Sequence, residues 1–89
     1  MARLFIRHKV KDYATWREGY DAFDATRKNM GTTGHGVYRS VDDENDITVW
    51  HDFASVAEAK ALLESDALKT AMANAGVVGA PTIWITNPA

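Results

Sequence analysis

The chain has 89 residues, no cysteine and a formal net charge of −2. This length corresponds to one small domain over residues 1–89, and the absence of cysteine excludes a disulfide framework and thiolate chemistry. The slightly acidic balance offers no basic surface for nucleic acid, and no apolar run approaches the roughly 20 residues of a membrane span. Charged residues interrupt the apolar amino terminus, so no signal peptide is expected and the predicted location is cytoplasmic.

The first third of the chain predicts a strand followed by a helix. Residues 3–10 alternate between two faces, a period of two that is typical of a strand. Asp12 is placed to cap the helix that follows, and Gly31 is placed to end it at about Met30. An aromatic stripe runs along this helix at spacings of three and four residues, formed by Tyr13, Trp16, Tyr20 and Phe23.

Three further strands are predicted. Two of them, at residues 34–41 and 46–53, are separated by a polar turn at residues 42–46. The last strand covers residues 82–86 and follows a loop with the sequence G-V-V-G-A-P.

A second helical region lies between the third and fourth strands. Ser55 and Glu58 have the spacing of a capping box, a second helical piece starts at Ser65, and Gly76 ends it. The order of elements is therefore β-α-β-β-α-β. This order predicts a ferredoxin-like α+β fold, with both helical regions on one face of a four-stranded antiparallel sheet in the order 4-1-3-2.

The alternation of side chains predicts two unlike faces of this sheet. The aliphatic face, covered by helices, comprises Leu4, Ile6, His8, Val37, Val41, Ile47, Val49, Phe53, Ile83 and Ile85. The opposite face carries one large aromatic residue per strand, namely Phe5, Tyr38, Trp50 and Trp84. Monomers rarely expose an apolar patch of that size, and a small domain without disulfides gains stability by association. We therefore expect a homodimer in which the two sheets pack face to face.

Several segments resemble, in order and spacing, small bacterial proteins of the dimeric α+β barrel superfamily of the cyclase-like or antibiotic-biosynthesis-monooxygenase-like kind. They are D-Y-A-T-W-R (12–17), T-G-H-G-V-Y-R (33–39), D-I-T-V-W (46–50) and A-M-A-N-A-G-V-V-G-A-P (71–81). The resemblance implies that two sheets form a dimeric α+β barrel, with a pocket between helices and sheet in each subunit. The superfamily includes cofactor-independent quinol monooxygenases, haem-degrading enzymes, polyketide-modifying enzymes and lactone isomerases, so the fold alone selects no activity. Its haem-degrading members carry an iron-ligating histidine on the second helix, whereas residues 55–75 contain none, so haem is not expected.

The candidate site residues gather at one end of the predicted sheet. With a five-residue turn, Val37 faces His51 and His35 faces Phe53, which makes His35 and His51 diagonal neighbours on the helix-facing side. Arg27 lies within the angular span of the aromatic stripe, near the carboxyl end of the first helix and above the same end of the sheet. An arginine in an aromatic stripe indicates a polar partner beneath it.

Two glycines flank His35 at the start of the second strand. Gly34 and Gly36 are interpreted as permitting a bend and forming the floor of a cavity into which His35 points. His8 lies at the opposite end of the sheet and is interpreted as structural.

The leading hypothesis is a monooxygenase- or cyclase-like enzyme that acts on a hydrophobic, aromatic or polyketide-like molecule without metal, flavin or other cofactor. His35 or His51 would act as general base on an acidic hydroxyl, and Arg27 or Arg39 would stabilise the oxyanion. The predicted substrate contacts are Arg27, Arg39, Trp16, Tyr20 and Phe23. Two alternatives remain open: a non-catalytic dimeric module that binds a small apolar ligand, and a structural dimer whose pocket is filled by its own aromatic side chains.

Overall fold

The computed structural model describes Met1–Ala89 and has the predicted β-α-β-β-α-β plan, with each helical region divided into two helices. The strands are β1 (Ala2–Val10), β2 (Gly34–Arg39), β3 (Asp46–Phe53) and β4 (Val77–Thr86). The helices are α1 (Tyr13–Ala22), α2 (Asp24–Asn29), α3 (Val56–Glu64) and α4 (Asp66–Asn74). The longest helix has 10 residues, and none has the length and apolarity needed to cross a membrane.

The four strands form one antiparallel sheet in the order β2-β3-β1-β4. This is the predicted order 4-1-3-2 counted from the other edge, so the ferredoxin-like topology is confirmed. The helices cover one face of the sheet. Their buried side chains pack on the central strands β1 and β3 in a core that includes Leu4, Ile6, Val49, Trp16, Tyr20 and Leu62.

The predicted helix signals act as expected, with one difference. Asp12 accepts a hydrogen bond from the backbone N–H of Thr15 at 3.0 Å, and Gly31 follows the first helical region at a φ of 99°. The single long helix predicted for this region was wrong, because it breaks at Phe23 into α1 and α2. The break reorients the chain, and Arg27 on the short helix α2 becomes fully buried.

Two predicted strand boundaries were wrong. Strand β4 begins at Val77 rather than at residue 82, since β-branched residues favour extended backbone and pair with the end of β1. The segment that was predicted to be a loop is an irregular part of β4. It contains a shift in the pairing with β1 and a positive φ of 73° at Gly79. Strand β2 ends at Arg39, and Val41 is 100% exposed in the turn instead of lying in the core.

The two faces of the sheet otherwise differ as predicted, except that Ile83, placed on the helix-covered face, is 42% exposed because the helices do not cover it on the edge strand β4. On the outer face Phe5 lies opposite both Trp50 and Trp84, and the Phe5 and Trp84 rings stack with centroids 5.1 Å apart. Trp84 is 41% exposed and Tyr38 is 64% exposed. This single chain therefore leaves large aromatic surface uncovered.

Of the two glycines beside His35, Gly36 is required by the outer face, which corrects the interpretation from the sequence. A Cβ atom at Gly36 would lie 2.5 Å from the indole nitrogen of Trp50, so only glycine leaves room for that ring. At Gly34 the same atom would make only ordinary contacts. Because successive residues of a strand point to opposite faces, Gly36 makes no cavity floor beneath His35.

Candidate functional site

A cavity of about 40 Å³ lies between α1, α2 and α4 and the sheet. Its walls include Trp16, Tyr20, Phe23, Arg27 and His51, all of which the sequence placed at the site. A volume of this size holds about three water molecules. The helix α4 supplies the outer wall, including the flexible side chains of Leu68 and Met72.

The pairing of β2 with β3 brings the two predicted catalytic histidines together. His35 lies directly opposite His51, and their ring centroids are 6.1 Å apart. The diagonal pairing predicted from the sequence was wrong by two residues, because the turn also includes Ser40 and Val41. A shift of two residues keeps every side chain on its face, so the histidines still share the helix-facing side.

Arg27 connects three parts of the site and is only 1% exposed. Its Nε donates to Nε2 of His51 at 3.0 Å, and its Nη2 donates to the backbone carbonyl of Tyr20 at 2.9 Å. Its Nη1 donates to a carboxylate oxygen of Asp24 at 3.2 Å, and its guanidinium carbon lies 4.0 Å from the centre of the Tyr20 ring. The site therefore contains a buried positive charge that only one half-exposed carboxylate balances.

His51 is held in one tautomer by Arg27. Because Nε2 accepts the hydrogen bond from Arg27, the proton of the neutral ring is on Nδ1, and this atom has no hydrogen-bonding partner. Burial, reinforced by the positive charge of Arg27 and by His35, lowers the pKa of His51 to about 3. His51 therefore stays neutral at working pH and offers an N–H donor, with Nε2 unavailable as a base.

His35 links the cavity wall to the protein surface. The hydroxyl of Tyr20 lies 2.6 Å from its Nδ1, and a carboxylate oxygen of Asp24 lies 3.3 Å from its Nε2. A carboxylate only accepts hydrogen bonds, so Asp24 favours the proton on Nε2 and leaves Nδ1 to accept from Tyr20. Burial, with the charge of Arg27, lowers the pKa of His35, and the negative charge of Asp24 opposes this shift.

The pKa of the Tyr20 hydroxyl is set by burial and by nearby positive charges. Burial raises the pKa of Tyr20 above its ordinary value, and the positive charges of Arg27 and Arg17 only partly offset this shift. The ring of Tyr20 lines the cavity, whereas His35 does not. Tyr20 is therefore the group through which His35 can act on a molecule in the cavity.

The sequence interpretation missed two polar residues of this region. Asp24 follows Tyr20 by four residues and precedes Arg27 by three, a spacing that puts all three on one helix face and was a readable signal. His8 was interpreted as structural at the far end of the sheet, yet it lines the same cavity. Its position on the aliphatic face of β1 was the corresponding signal.

Arg39, like His35, is a predicted site residue that does not line the cavity, and unlike His35 it contacts no other residue of the site. Its guanidinium carbon lies 4.2 Å from the centre of the Tyr13 ring, and Nη1 lies 4.0 Å from a carboxylate oxygen of Glu44. The register explains this, because Arg39 pairs with Ile47, four residues from His51 and so roughly 13 Å along the strand.

Neither the models of known protein families nor the sequences of curated proteins match this chain. Solved structures match it over almost its whole length. SnoaB, a cofactor-independent oxygenase from Streptomyces nogalater, superposes with a TM-score of 0.81 at 12% identity, covering 99% of this chain and 92% of SnoaB. A Bordetella bronchiseptica protein provisionally named an antibiotic biosynthesis monooxygenase gives 0.85 at 13% identity, covering 99% of this chain and 96% of that one.

A protein of unknown function from Nitrosomonas europaea, NE2512, gives a TM-score of 0.76 at 22% identity, covering 96% of this chain and 85% of that one. Identities at this level establish the fold and leave activity to the site itself. The resemblance noted in the sequence is confirmed at that level: this chain has the ferredoxin-like fold of the antibiotic-biosynthesis-monooxygenase-like structures.

Proposed function

We propose that this protein is a small-molecule enzyme that removes a proton from an acidic hydroxyl of a hydrophobic, aromatic or polyketide-like substrate. The observation that carries the proposal is the series Tyr20–His35–Asp24, which runs from the cavity wall to the surface beside the buried charge of Arg27. The likeness to SnoaB, a cofactor-independent oxygenase, supports chemistry of the same general kind.

In this proposal the proton leaves the substrate through Tyr20. The substrate hydroxyl gives its proton to the Tyr20 oxygen while the Tyr20 proton passes to Nδ1 of His35, and the imidazolium that forms is stabilised by Asp24. The charge of Arg27 and the free Nδ1–H of His51 stabilise the substrate anion. His35 thus acts as the base, and His51 acts as a hydrogen-bond donor.

The anion can then follow the monooxygenase or the cyclase route. In the first route the anion passes an electron to dioxygen, and the two radicals combine at carbon to a peroxide anion. This anion takes back the proton held on His35 to give a hydroperoxide, and loss of water leaves a carbonyl. The balance is R₂CH₂ + O₂ → R₂C=O + H₂O, and the substrate itself supplies the electrons, so the route needs neither metal nor flavin. In the second route the anion, as an enolate, attacks a carbonyl of the same molecule and closes a ring.

A polyketide-like substrate is larger than the observed cavity, so the cavity must open to bind it. Small-molecule sites typically measure about 300–1,000 Å³, far above the 40 Å³ observed. The helix α4 is the movable wall in the proposal, because it has no fully buried residue and because Met72 adapts its shape easily.

The small volume also favours a second candidate function. His35 does not line the cavity, and Trp16 and Tyr20 of α1 are packed into the core between helix and sheet. A structural dimer with a permanently filled cavity accounts for both observations. A non-catalytic module that binds a small ligand differs from it only in letting α4 open.

We further propose that the protein is a homodimer built through the outer face of the sheet. The row formed by Trp50, Phe5 and Trp84 crosses the three neighbouring strands β3, β1 and β4 on the side that no helix covers. Apolar surface of this kind is rarely left exposed in a monomer. A second copy facing it would give an obligate interface that buries roughly 2,000 Å² or more.

The experiment that separates these functions measures ligand binding and oxygen uptake on the same protein. The purified chain is mixed with a panel of quinols and anthrones, and with flavin and haem as further ligands. Accelerated oxygen uptake, or ring closure of a polyketide-like probe, supports the enzyme. Binding without turnover supports the binding module, and the absence of both supports the structural dimer.

A further inference from the structure

The helices α3 and α4 have the same length and the same kind of cap, but only α3 is embedded in the core. Each has nine residues, and the serine before it, Ser55 or Ser65, accepts a hydrogen bond from the first turn. Ala59 and Leu62 of α3 are completely buried, whereas α4 has no buried residue. Packing supplies most of the stability of a short helix, so α4 is the more weakly held of the two.

Both ends of α4 allow it to move without disturbing the rest of the chain. Ser65 has extended backbone and separates α4 from α3. At the other end Gly76 has a positive φ of 81°, which glycine adopts without strain, and its carbonyl accepts from the backbone N–H of Lys11 at 3.0 Å. The chain is therefore anchored to the end of β1 directly after α4, and an opening can be confined to the residues between Ser65 and Gly76.

His8 lies on β1 in the wall of the cavity that α4 closes. The residue is 6% exposed, and both of its ring nitrogens are buried without a hydrogen-bonding partner. The side chains that α4 presents to this cavity include Leu68, Ala71 and Met72, which are all apolar. A protonated imidazole has two donors, and burying it without an acceptor is costly, so His8 is neutral while α4 is closed.

The nearest carboxylate does not remove this cost. Asp46 on β3 attracts a proton to His8, but both of its oxygens accept from Arg7, at 3.1 and 2.7 Å. Arg7 and Lys9, the neighbours of His8 on β1, point to the opposite face of the sheet. Burial has the larger effect and lowers the pKa of His8 below its ordinary value.

The other groups around His8 are uncharged, exposed or distant. The ring of Trp16 on α1 meets the imidazole edge to face with centroids 5.7 Å apart. The nearby residues of β4 are Val78, Gly79, Ala80 and Thr82. The charged residues of α4, Asp66 and Lys69, are exposed and do not line the cavity. The cavity also contains Arg27 and His51, but His51 pairs with Leu4, which lies four residues and roughly 13 Å from His8 along β1.

We propose that α4 is a lid that opens as a separate unit and that protonation of His8 shifts it towards the open state. When α4 opens, water reaches the nitrogens of His8, and the ring can take up a proton near its ordinary pKa of 6.5. The open state therefore binds more protons than the closed state below pH 6.5, and acid favours it by up to about tenfold per pH unit. The inference rests on the proposed function for the use of the cavity, and it adds how access to the cavity is regulated.

The test measures hydrogen exchange of backbone amides in the full chain, without a ligand, at pH 7 and pH 5. Residues 60–64 of α3 and 70–74 of α4 are compared because they occupy equivalent positions in helices of equal length. We expect the protection factors of α4 to be about 100-fold below those of α3 at pH 7. At pH 5 this difference should be about tenfold larger, while α3 reports any change in global stability.

Two variants identify the group that responds to pH. In His8→Leu the additional loss of α4 protection at pH 5 should disappear. His8→Gln, which is polar and does not titrate, should behave in the same way, so the test does not depend on the folding of one variant. His51→Gln is the matched control, since it removes the other histidine of the cavity and should keep the pH response of α4.

Equal protection of α3 and α4 would overturn the inference. So would a difference between the helices that does not change with pH, or a pH response that survives in both His8 variants. The exchange measurement needs no substrate, so its failure is distinct from that of the proposed function. A lid that responds to pH in a protein without oxygen uptake leaves this inference standing, and oxygen uptake with equal protection of the two helices leaves the enzyme standing.

Discussion

The hydroxyl of Tyr20 on α1 lies 2.6 Å from Nδ1 of His35 on β2. This contact joins a buried residue of the cavity wall to a half-exposed imidazole, and Asp24 at 3.3 Å selects the tautomer that makes Nδ1 the acceptor. Arg27, against the face of the same tyrosine ring, puts a fixed positive charge where an anion would form. In the proposed mechanism the two histidines therefore have different roles, base for His35 and hydrogen-bond donor for His51.

Arg27 should be the most sensitive position of the site for stability. Replacing it by alanine leaves Nε2 of His51 and the carbonyl of Tyr20 without their donor, and we expect the free energy of unfolding to fall by about 2–4 kcal/mol. Lys28 is the matched control, since it is exposed and also contacts Asp24, and Lys28→Ala should cost less than about 1 kcal/mol. Urea unfolding at one protein concentration gives both values. Equal losses of unfolding free energy in the two variants would contradict the stabilising role of the Arg27 hydrogen bonds.

Stability should fall as the solution is acidified below about pH 6.5. The folded state holds His51 neutral down to a pKa of about 3, whereas the unfolded chain takes up a proton near the ordinary value of 6.5. The stabilising effect is therefore complete above pH 6.5 and is lost as the pH falls towards 3, at up to about 1.4 kcal/mol per pH unit for this one group. His8 and His35 have lowered pKa values and act in the same direction.

His51→Gln isolates the contribution of His51, because glutamine offers Arg27 an acceptor and does not titrate. The pH dependence of urea unfolding should be shallower between pH 6.5 and 4 in this variant. The ion-paired carboxylates of Asp24, Asp46 and Asp52 also have lowered pKa values, but they lose their effect only below their ordinary value of 3.8. Identical slopes in the wild type and the variant would rule out His51 as the cause.

The aromatic residues on the outer face of the sheet lead us to expect a dimer. Trp84→Glu places a charge in the aromatic row and should abolish the dimer or unfold the chain, since a folded monomer would expose the remaining rings. Val41→Glu is the control, because this residue is fully exposed in the turn, away from the sheet. Sedimentation at micromolar concentration measures both, and a folded wild-type monomer would defeat the dimer proposal.

The sequence determined the fold through signals that are local. The bounds of β3, residues 46–53, match the prediction because a polar turn and a capping serine delimit a clear alternation. Strand order followed from the handedness of the crossovers. Arg27 stood out because a charge interrupts an aromatic stripe.

The remaining details depend on contacts between distant residues. The register of β2 on β3 rests on how many residues the turn holds, and a composition rich in Asp leaves that number open. The role of Gly36 depends on where the Trp50 ring lies, and the bond from Tyr20 to His35 depends on the register that places His35. For these reasons the sequence named most members of the site, missed Asp24 and His8, and misassigned the contacts between them.

In the proposed mechanism Tyr20 and His35 form one proton-transfer unit. The direct measurement is the initial rate of anthrone oxidation, followed as oxygen consumption, for wild type, Tyr20→Phe, His35→Ala and the double variant. Tyr13→Phe is the matched control, since its hydroxyl contacts Arg17 rather than His35. We predict that the wild type accelerates the reaction and that Tyr13→Phe keeps this rate. Each of the other single variants should lose about 100-fold, and the double variant should lose no more than either. Wild-type rates in Tyr20→Phe and His35→Ala, or no acceleration by the wild type, would contradict the claim.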